Sequence, residues 1–564
     1  MAHPLFARHR ATLDGALAAI ATRGYWSPYP EMPSPKVYGE TAMDDGKRAV
    51  AALNGTRFDL GQPGVSGWRR ADRSPYGVAI DVQYPVCEVA AMIAAAEAAM
   101  PAWQKLGVDG RTGVCLEILA RINQRSFEIA QAVMLTSGQG WMMAFQAGGP
   151  HAQDRGLEAV AWAYREMSFV PGRAHWEKPQ GKNPPLAMDK RFEVVGRGVA
   201  LVIGCATFPT WNTYPGLFAA LATGNPVIVK PHPASTLAAA ISVKIAREVL
   251  AAQGLDPNLV QLAVVDDDAT RALALHPSVK SVDFTGGPAF GRWLLEHAQG
   301  QAGKQVYAEL AGVNNVVIES TDNYKGMLRN LAFTLSLYSG QMCTTTKAIL
   351  LPTDGIDTDA GRKTFDEVAA DLAAAIDKFL ADPATATAVL GAIQSDATLA
   401  RLSETPAGTA VVLASKAVAH PEFPQATLRT PLLLKTQAAN EAAYMQERFG
   451  PICTLVAVPG GADALVALSE RIVREQGALT VGVYSTKDAV IDAMVEATQN
   501  SGVALSINLT GGVFVNQSAA FSDFHATGAN PAANASYADS AFVANRFRVI
   551  QRRVHVAPKA AVAA

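Results

Sequence analysis

Short β-branched runs alternate with helical segments between residues 193 and 318, and this alternation constrains the fold more than any other feature. The runs ALVIGCA, PVIVK, QLAVV and SVDFTG are separated by stretches such as ASTLAAAISVKIAREVLAAQG, whose apolar residues recur at helical spacing. Because parallel strands need crossover connections, usually helices, the pattern predicts a doubly wound parallel α/β sheet. Dinucleotides bind such sheets at the carboxyl ends of the strands.

The segments around this sheet predict a chain of several parts. At 564 residues the chain is long enough for two large lobes. Residues 1–85 combine a short helical pattern with a Pro- and Gly-rich stretch, which predicts an extended arm. Residues 86–308 are the predicted dinucleotide-binding domain, 309–530 a second α/β domain, and 531–564 a C-terminal strand, FRVIQRRVHVA, with a tail.

Charge and hydropathy limit the classes of partner. Lys and Arg total 48 against 50 for Asp and Glu, so the summed field offers no footprint for nucleic acid or an anionic membrane. The longest apolar runs fall short of the roughly 18 to 20 residues that span a bilayer. The N-terminal stretch lacks the order of a signal peptide. We therefore predict a cytoplasmic protein that acts on a small molecule.

The five cysteines are scattered and odd in number, with no CxxC or Cys/His ligand spacing. This pattern predicts separate thiols in a reducing compartment and no metal site. Most such residues are small buried hydrophobes. The cysteines are Cys87, Cys115, Cys205, Cys343 and Cys453.

A glycine turn and a lysine mark the candidate cofactor site. Gly286, Gly287 and Gly291 follow the strand SVDFTG at the start of a predicted helix, where backbone N–H groups and the helix dipole favour a pyrophosphate. The alternative is a turn that requires positive φ. Lys230 lies at the end of the strand PVIVK, from where an ammonium can reach a cofactor ribose; the alternative is a solvated lysine.

Glu309 ends an apolar strand in YAELAGVNN, and Cys343 follows a glycine in LYSGQMCTTTKAI. The ordered motifs FTGG, ELxG, GQxC and ExFGP resemble the aldehyde dehydrogenase superfamily over residues 90–555. The stretch TFPTWNTYPGLFAALATGNPVIVKPHPAS is similar, more narrowly, to the PaaN-type and related semialdehyde dehydrogenases of aerobic, CoA-linked aromatic degradation. The resemblance implies a Rossmann-type cofactor lobe, an α/β catalytic lobe and a small oligomerisation hairpin.

The resemblance also implies roles for single residues. An aldehyde carbon releases hydride only after a nucleophile makes it tetrahedral, and a thiolate is the strongest nucleophile near neutral pH. Cys343 is implied to form a thioester, and Glu309 to be the base that activates the hydrolytic water. Glu447 is implied to accept hydrogen bonds from the nicotinamide ribose, while Phe449 lines the ring pocket. The alternatives are a helix-end acid and a core aromatic.

The sequence departs from the family pattern at three places. Counting back without gaps from ALATGNPVIVK puts Thr207 in the slot of the oxyanion-binding amide, with Asn212 five residues later, and we favour Thr207. Pro233 replaces a glutamate of many NAD-preferring members, and a protonated His232 would attract a 2′-phosphate, which favours NADP over NAD. The final glycine-rich motif is altered to HATGANPAANASYADS, which leaves the substrate entrance undefined.

The resemblance implies a substrate and an assembly. The substrate is a ring-opened aldehyde carried on an acyl-CoA. A hairpin at 172–196 resembles the family's oligomerisation arm, and pairing it with the C-terminal strand predicts a homodimer or homotetramer. One rival interpretation is a CoA-acylating dehydrogenase, but such enzymes generally lack the base that Glu309 supplies. The other is a catalytically silent scaffold, which would not need Cys343, Lys230 and Glu447 together with that base.

Overall fold

The computed structural model describes residues 3–557, and the predicted tail beyond residue 557 lies outside them. Helices predominate up to residue 168 and alternate with strands afterwards. In chain order α1 to α20 are Pro4–Arg8, Arg10–Thr22, Pro35–Tyr38, Ala42–Ala51, Val89–Lys105, Gly107–Gln124, Ser126–Ser137, Trp141–Gly148, Pro150–Ser168, Thr213–Ala222, Leu237–Ala252, Asp267–Leu275, Pro288–His297, Tyr324–Ser336, Phe365–Phe379, Pro383–Val389, Asp396–Arg401, Gly461–Gln476, Asp488–Ser501 and Ser540–Ala544.

The strands form two large sheets and three small ones. In chain order β1 to β20 are Thr56–Arg57, Val65–Arg70, Val82–Cys87, Arg173–Gln180, Asn183–Gly196, Val199–Ile203, Val227–Lys230, Val260–Leu262, Val279–Thr285, Gln305–Glu309, Asn315–Ile318, Ser320–Thr321, Ala348–Pro352, Asp357–Thr358, Ala410–Leu413, Leu432–Gln437, Ile452–Val458, Thr480–Tyr484, Ala504–Ile507 and Phe547–Val556.

The predicted parallel sheet is present, with five strands in the order β10-β9-β6-β7-β8. Each of the four runs recognised in the sequence supplies one strand, and all neighbours are parallel. The residues of β6 are buried and alternate between two hydrophobic clusters, one on each face, so Leu201 packs on one side and Val202 on the other. The α/β fold class is therefore confirmed, and its physical basis is burial of both faces.

A second sheet has seven strands in the order β15-β16-β17-β13-β11-β18-β19, parallel except for the edge strand β15. Both of its faces are covered, and α14 and α15 pack together near one of them. The chain passes from the five-stranded to the seven-stranded sheet between Glu309 and Asn315. This short passage places the end of β10 between the two lobes.

The N-terminal residues differ from the extended arm that their composition predicts. Leu5 and Phe6 on α1 and Leu13 on α2 are buried in the largest hydrophobic cluster, where α1 packs on α6 and α2 on α9. The short helical pattern predicted there is present as α1 and α2, while Pro and Gly are concentrated after α2. The beginning of the chain is therefore integrated into the main core.

Two antiparallel strands, β4 and β5, form the hairpin expected at 172–196, and β20 pairs with β5 along ten residues of the same chain. The resulting three-stranded sheet leaves apolar side chains exposed on β20, among them Ile550 and Val554. Among the described helices, none has the length and apolar character that crossing a bilayer requires.

Candidate active site

Three of the predicted site residues lie at the carboxyl edge of the five-stranded sheet. Glu309 is the last residue of β10, Lys230 is the last residue of β7, and Gly286 follows β9 directly. Because parallel strands end at the same edge, this edge collects side chains that are distant in sequence. The geometry is the one that the strand pattern predicts.

The loop that carries Cys343 is held rigidly between the two lobes. The Asn314 amide donates to the Cys343 carbonyl at 2.7 Å and accepts from the Leu479 N–H at 2.8 Å. The Lys347 ammonium donates to the carbonyls of Gly340 and Gly450 at 3.3 and 3.0 Å. Gly340 has a φ of 61°, and a Cβ there would lie 2.4 Å from the Gly450 carbonyl oxygen, so the turn requires glycine.

Cys343, Glu309 and His525 meet at one point. The His525 Nε2 atom lies 3.6 Å from the Cys343 Sγ and 3.2 Å from the Glu309 Oε2, and the three ligand-type atoms all lie within 4.8 Å of one another. Glu309 and His525 are 1% and 3% exposed, while Cys343 is half-buried. Neither Glu309 oxygen accepts a well-aligned hydrogen bond from residues 3–557, so the carboxylate remains available to a water or substrate.

The environment of this cluster raises the pKa of the Cys343 thiol and lowers the pKa of the Glu309 carboxyl. Burial raises the pKa of the Cys343 thiol well above its usual value, and the neighbouring Glu309 carboxylate raises it further. Burial also opposes ionisation of Glu309, but the attraction of the nearby His525 outweighs it and leaves the pKa of Glu309 below its usual value. Glu309 is therefore suited to accept a proton, and Cys343 needs a positive charge nearby to lose one.

A cavity of about 560 Å³ opens onto Cys343 and His525. Its wall is mainly apolar and aromatic, and it includes a segment of the N-terminal region that the sequence left without chemistry. Lining residues from that region and from the aromatic wall include Tyr25, Trp26, Glu31, Phe208, Trp211 and Phe333. Asp154, held by the Ser27 hydroxyl at 2.9 Å, also lines the cavity, and burial raises its pKa well above the usual value.

The cavity lining favours Asn212 over Thr207, the residue preferred from the sequence, as the oxyanion donor. Asn212 lines the cavity beside Cys343, whereas Thr207 is not among its lining residues in the described chain. The Thr207 carbonyl instead accepts hydrogen bonds from Gln139 and Tyr338, at 2.8 and 3.2 Å. Asn212 donates a long bond of 3.4 Å to Thr285.

The glycines after β9 divide into two roles. Gly287 is the N-cap of α13, no side chain caps this helix, and a Cβ on Gly287 would meet nothing within 4 Å. Free N–H groups therefore face open space, which fits a pyrophosphate. A Cβ on Gly291 would lie 2.0 Å from the Leu310 side chain, so Gly291 permits close packing of α13. Positive φ explains none of Gly286, Gly287 and Gly291.

The remaining predicted cofactor residues are Lys230, Glu447 and Phe449, and the two charged ones are buried or half-buried. Lys230 is 7% exposed, burial lowers the pKa of its ammonium, and it forms no ion pair within the described chain. Burial raises the pKa of the half-buried Glu447 to about 7, against the attraction of Lys347, whose own pKa burial lowers to about 8. The Lys347 ammonium lies 5.4 Å from the centre of the Phe449 ring. Buried charges of this kind fit hydroxyl groups of a bound ribose.

The argument that a protonated His232 attracts a 2′-phosphate is not supported. The Ala234 N–H donates to the His232 Nδ1 at 3.1 Å, so this nitrogen carries no proton. His232 lies at the surface, yet desolvation of its ring, followed by the charge of Lys230, lowers its pKa to about 4. The ring is neutral near pH 7.

His525 is the residue that the sequence interpretation missed. It lies at the start of HATGANPAANASYADS, the altered final motif, whose later residues run along β10: Leu310 N–H donates to Ala532 and Asn534 donates to Val306. His525 and Tyr537 exchange two backbone hydrogen bonds, at 3.1 and 3.0 Å. The sequence signal that could have indicated this residue is a histidine within the motif that differs from the family pattern.

Comparisons with known proteins identify the family. The family model described as aldehyde dehydrogenase family matches residues 83–541. An N-succinylglutamate 5-semialdehyde dehydrogenase from Chromobacterium violaceum is 27% identical over 379 residues, covering 65% of this chain and 71% of that protein. The crystal structure of an NAD-dependent aldehyde dehydrogenase from Burkholderia multivorans is 56% identical with a TM-score of 0.97, covering 99% of this chain and 100% of that one.

A 1-pyrroline-5-carboxylate dehydrogenase from Thermus with bound NAD has the same fold at 17% identity, with a TM-score of 0.70 over 94% of this chain and 99% of that one. The parallel sheets and the match across most of the sequence define the class of protein. The chain belongs to the aldehyde dehydrogenase family. It is an oxidoreductase that acts on aldehydes.

Proposed function

We propose that the protein oxidises an aldehyde to a carboxylic acid with NAD, through a thioester on Cys343 that water hydrolyses with Glu309 as base. The observation that carries this proposal is the cluster at the cavity wall, where the Cys343 sulphur and a Glu309 oxygen lie within 4.8 Å of each other. Retention of a base close to the nucleophile also favours hydrolysis over transfer of the acyl group to CoA.

The chain's own residues divide the reaction between them. The Cys343 thiolate attacks the carbonyl carbon, and the Asn212 amide on the same wall stabilises the oxyanion; a donor of this kind contributes about 3 to 4 kcal/mol in other enzymes. When bound, held by Lys230 and the start of α13, NAD would supply the acceptor for the hydride that leaves the tetrahedral carbon as the thioester carbonyl forms. Glu309 then takes a proton from water, whose oxygen attacks the thioester carbon while the C–S bond breaks.

NAD is proposed in preference to NADP. The neighbour from Burkholderia multivorans is described as NAD-dependent and is 56% identical to this chain. The neutral His232 removes one of the two arguments for NADP, while the missing carboxylate at Pro233 leaves NADP as the second candidate. Lys230 and the uncapped start of α13 fit the ribose and pyrophosphate that both cofactors share.

The cavity favours an uncharged aromatic or aliphatic aldehyde. Glu31 and Asp154 are the acidic groups on its wall, and no lysine or arginine lines it in the described chain. A dicarboxylate such as succinylglutamate semialdehyde would lack a cation to pair with. The CoA-linked semialdehyde of aromatic degradation, implied by the sequence resemblance, is the second candidate, and its phosphates would have to lie outside this cavity.

The first experiment is absorbance at 340 nm with NAD or NADP and matched neutral, dicarboxylate and CoA-linked aldehydes, each with and without free CoA. We expect reduction without free CoA, fastest with NAD and a neutral aldehyde. Cys343→Ala should abolish oxidation while leaving NAD binding intact. Full activity in Cys343→Ala, or an absolute need for free CoA, would contradict the proposal.

A further inference from the structure

We propose that His525 is a further catalytic residue, which takes the thiol proton of Cys343 at Nε2 and holds it between the Cys343 thiolate and the Glu309 carboxylate. The inference rests on the proposed thioester chemistry and adds a residue to it. In the transfer the S–H bond of Cys343 breaks and an N–H bond forms at Nε2. The Cys343 thiol and the His525 imidazole, both neutral before the transfer, become a thiolate and an imidazolium. Their net charge and oxidation states do not change.

The contacts of a single nitrogen carry the inference. Nε2 lies 3.6 Å from the Cys343 sulphur, within hydrogen-bonding distance, and 3.2 Å from the Glu309 oxygen, so this one atom is close to both groups. This differs from a relay through two ring nitrogens, in which the acid and the nucleophile contact opposite sides of the imidazole. Here the imidazolium separates two acidic groups that would otherwise repel each other in a buried site.

The charges around the cluster show why a cation is needed there. Glu309 is 1% exposed, and a thiolate beside it places two negative charges in a region of low dielectric constant. An imidazolium in contact with both offsets this repulsion and favours the thiolate. The charged and titratable groups that act on the cluster from its packed neighbours are Arg155, Cys205, Glu447 and Tyr537.

The position of the His525 ring is fixed from three sides. Trp211 packs edge-on with ring centres 4.6 Å apart, and Tyr537 is stacked at 6.2 Å. The Arg155 guanidinium donates to the carbonyls of Asp523 and Tyr537, both at 3.1 Å, and so holds the backbone on both sides of the ring. The ring is also part of the cavity wall, where an aldehyde reaches Cys343.

The decisive measurement is the pH dependence of Cys343 alkylation by iodoacetamide, followed on the Cys343 peptide by mass spectrometry. Alkylation needs no turnover, so it tests His525 even if the proposed oxidation fails. We expect His525→Gln to slow alkylation at pH 7 at least about tenfold and to raise the midpoint of the pH profile by about one unit or more. His175→Gln, an exposed histidine on the hairpin, serves as the matched control and should change neither quantity.

A second variant separates chemistry from packing. His525→Phe keeps an aromatic ring against Trp211 and Tyr537, so a purely structural role predicts normal alkylation in this variant. The proposal instead predicts the same slow alkylation as in His525→Gln, with unchanged thermal melting and NAD binding. An unchanged pH profile in either variant overturns the proposal.

The same three side chains also have the composition of a metal site, and the test includes that outcome. Elemental analysis and activity after EDTA treatment are measured on the wild-type enzyme. One tightly held metal ion per chain, whose removal abolishes activity, would assign the three residues as ligands and overturn the catalytic role of His525. Full activity after EDTA treatment supports the role proposed here.

Discussion

At the scale of single residues, the proposed active site contains three side chains, Cys343, Glu309 and His525, whose charges influence one another. Cys343 alone is a poor nucleophile because burial and the nearby Glu309 raise the pKa of its thiol. Glu309 alone is stabilised as an anion by His525. The reactivity of each residue is therefore a property of the cluster, and substitution of one member should change a specific step.

Glu309→Gln is expected to separate the two halves of the reaction. The amide cannot accept a proton from water, so the thioester should form but hydrolyse slowly. Stopped-flow absorbance should show a burst of about one NADH per site and a steady-state rate lower by about 10²- to 10⁴-fold. Loss of the burst together with the steady state would contradict the assignment of Glu309 to hydrolysis.

Glu447 should make cofactor binding depend on pH. Its pKa of about 7 means that the carboxylate, the form that accepts ribose hydroxyls, increases between pH 6 and 8. The dissociation constant of NAD, measured by fluorescence quenching, should fall by up to about tenfold over this range, because affinity scales with the competent fraction. Folding stability contributed by the protonated form should be fully present below the usual pKa of 4.5 and should be lost as pH rises from there through the folded pKa of about 7, because the folded pKa is raised.

Glu447→Gln is the control for this titration. The amide does not ionise, so the pH dependence of NAD binding should flatten, with weaker binding at pH 8. If the dependence persists in the variant, another group, such as Lys347 with its pKa of about 8, is responsible.

At the scale of elements, the sheet formed by β4, β5 and β20 exposes apolar side chains on an edge strand. The edge strand β20 exposes Ile550 and Val554, which are 50% and 65% exposed and lie on the same face of the strand. Exposed apolar residues on an edge strand favour pairing with a second chain. The arrangement supports, without testing, the prediction of a homodimer or homotetramer.

Ile550→Asp combined with Val554→Asp should weaken that assembly. Two carboxylates in an apolar interface are left without partners, so light scattering after size-exclusion chromatography should show a smaller particle than the wild type. Gln551→Asp, on the other face of β20, is the matched control and should retain the wild-type mass. A monomeric wild-type protein would contradict the oligomer prediction directly.

At the scale of the whole molecule, the C-terminal segment joins the lobes to each other. Arg546 is fully buried and its guanidinium donates to both oxygens of Asp283 on β9, 263 positions away, at 2.8 and 2.6 Å. The preceding segment runs along β10 and carries His525 to the Cys343 loop. Folding of the C-terminal segment and assembly of the active site are therefore coupled.

Arg546→Met should destabilise the whole molecule because it leaves the Asp283 carboxylate buried without its partner. Removing one member of such a pair costs about 3 to 5 kcal/mol. The free energy of unfolding in urea, together with alkylation of Cys343, measures both effects. Arg552→Met, which removes an exposed ion pair to Glu193 on the same C-terminal segment, should cost less than about 1 kcal/mol, and an equal loss in both variants would contradict the coupling.

The sequence by itself determined the parallel sheet, the strand-end placement of Glu309 and Lys230, and the loop position of Cys343. These features follow from local hydrophobic periodicity and from ordered motifs, which are visible within short windows. The domain division from residue 1 to 564 and the roles of the site residues remain predictions, and the composition did not indicate that the N-terminal helices pack into the main core.

The tertiary structure determined the distances between residues that are far apart in the sequence. It placed Asn212 rather than Thr207 on the cavity wall, showed the His232 ring to be neutral, and brought His525 to within 3.6 Å of Cys343 across 182 positions. The physical reason is that hydrogen bonding and burial between distant segments fix these distances. The local hydrophobic pattern determines which strands and helices form. The packing of the final motif against β10 determines which side chains come close enough to Cys343 to exchange a proton with it.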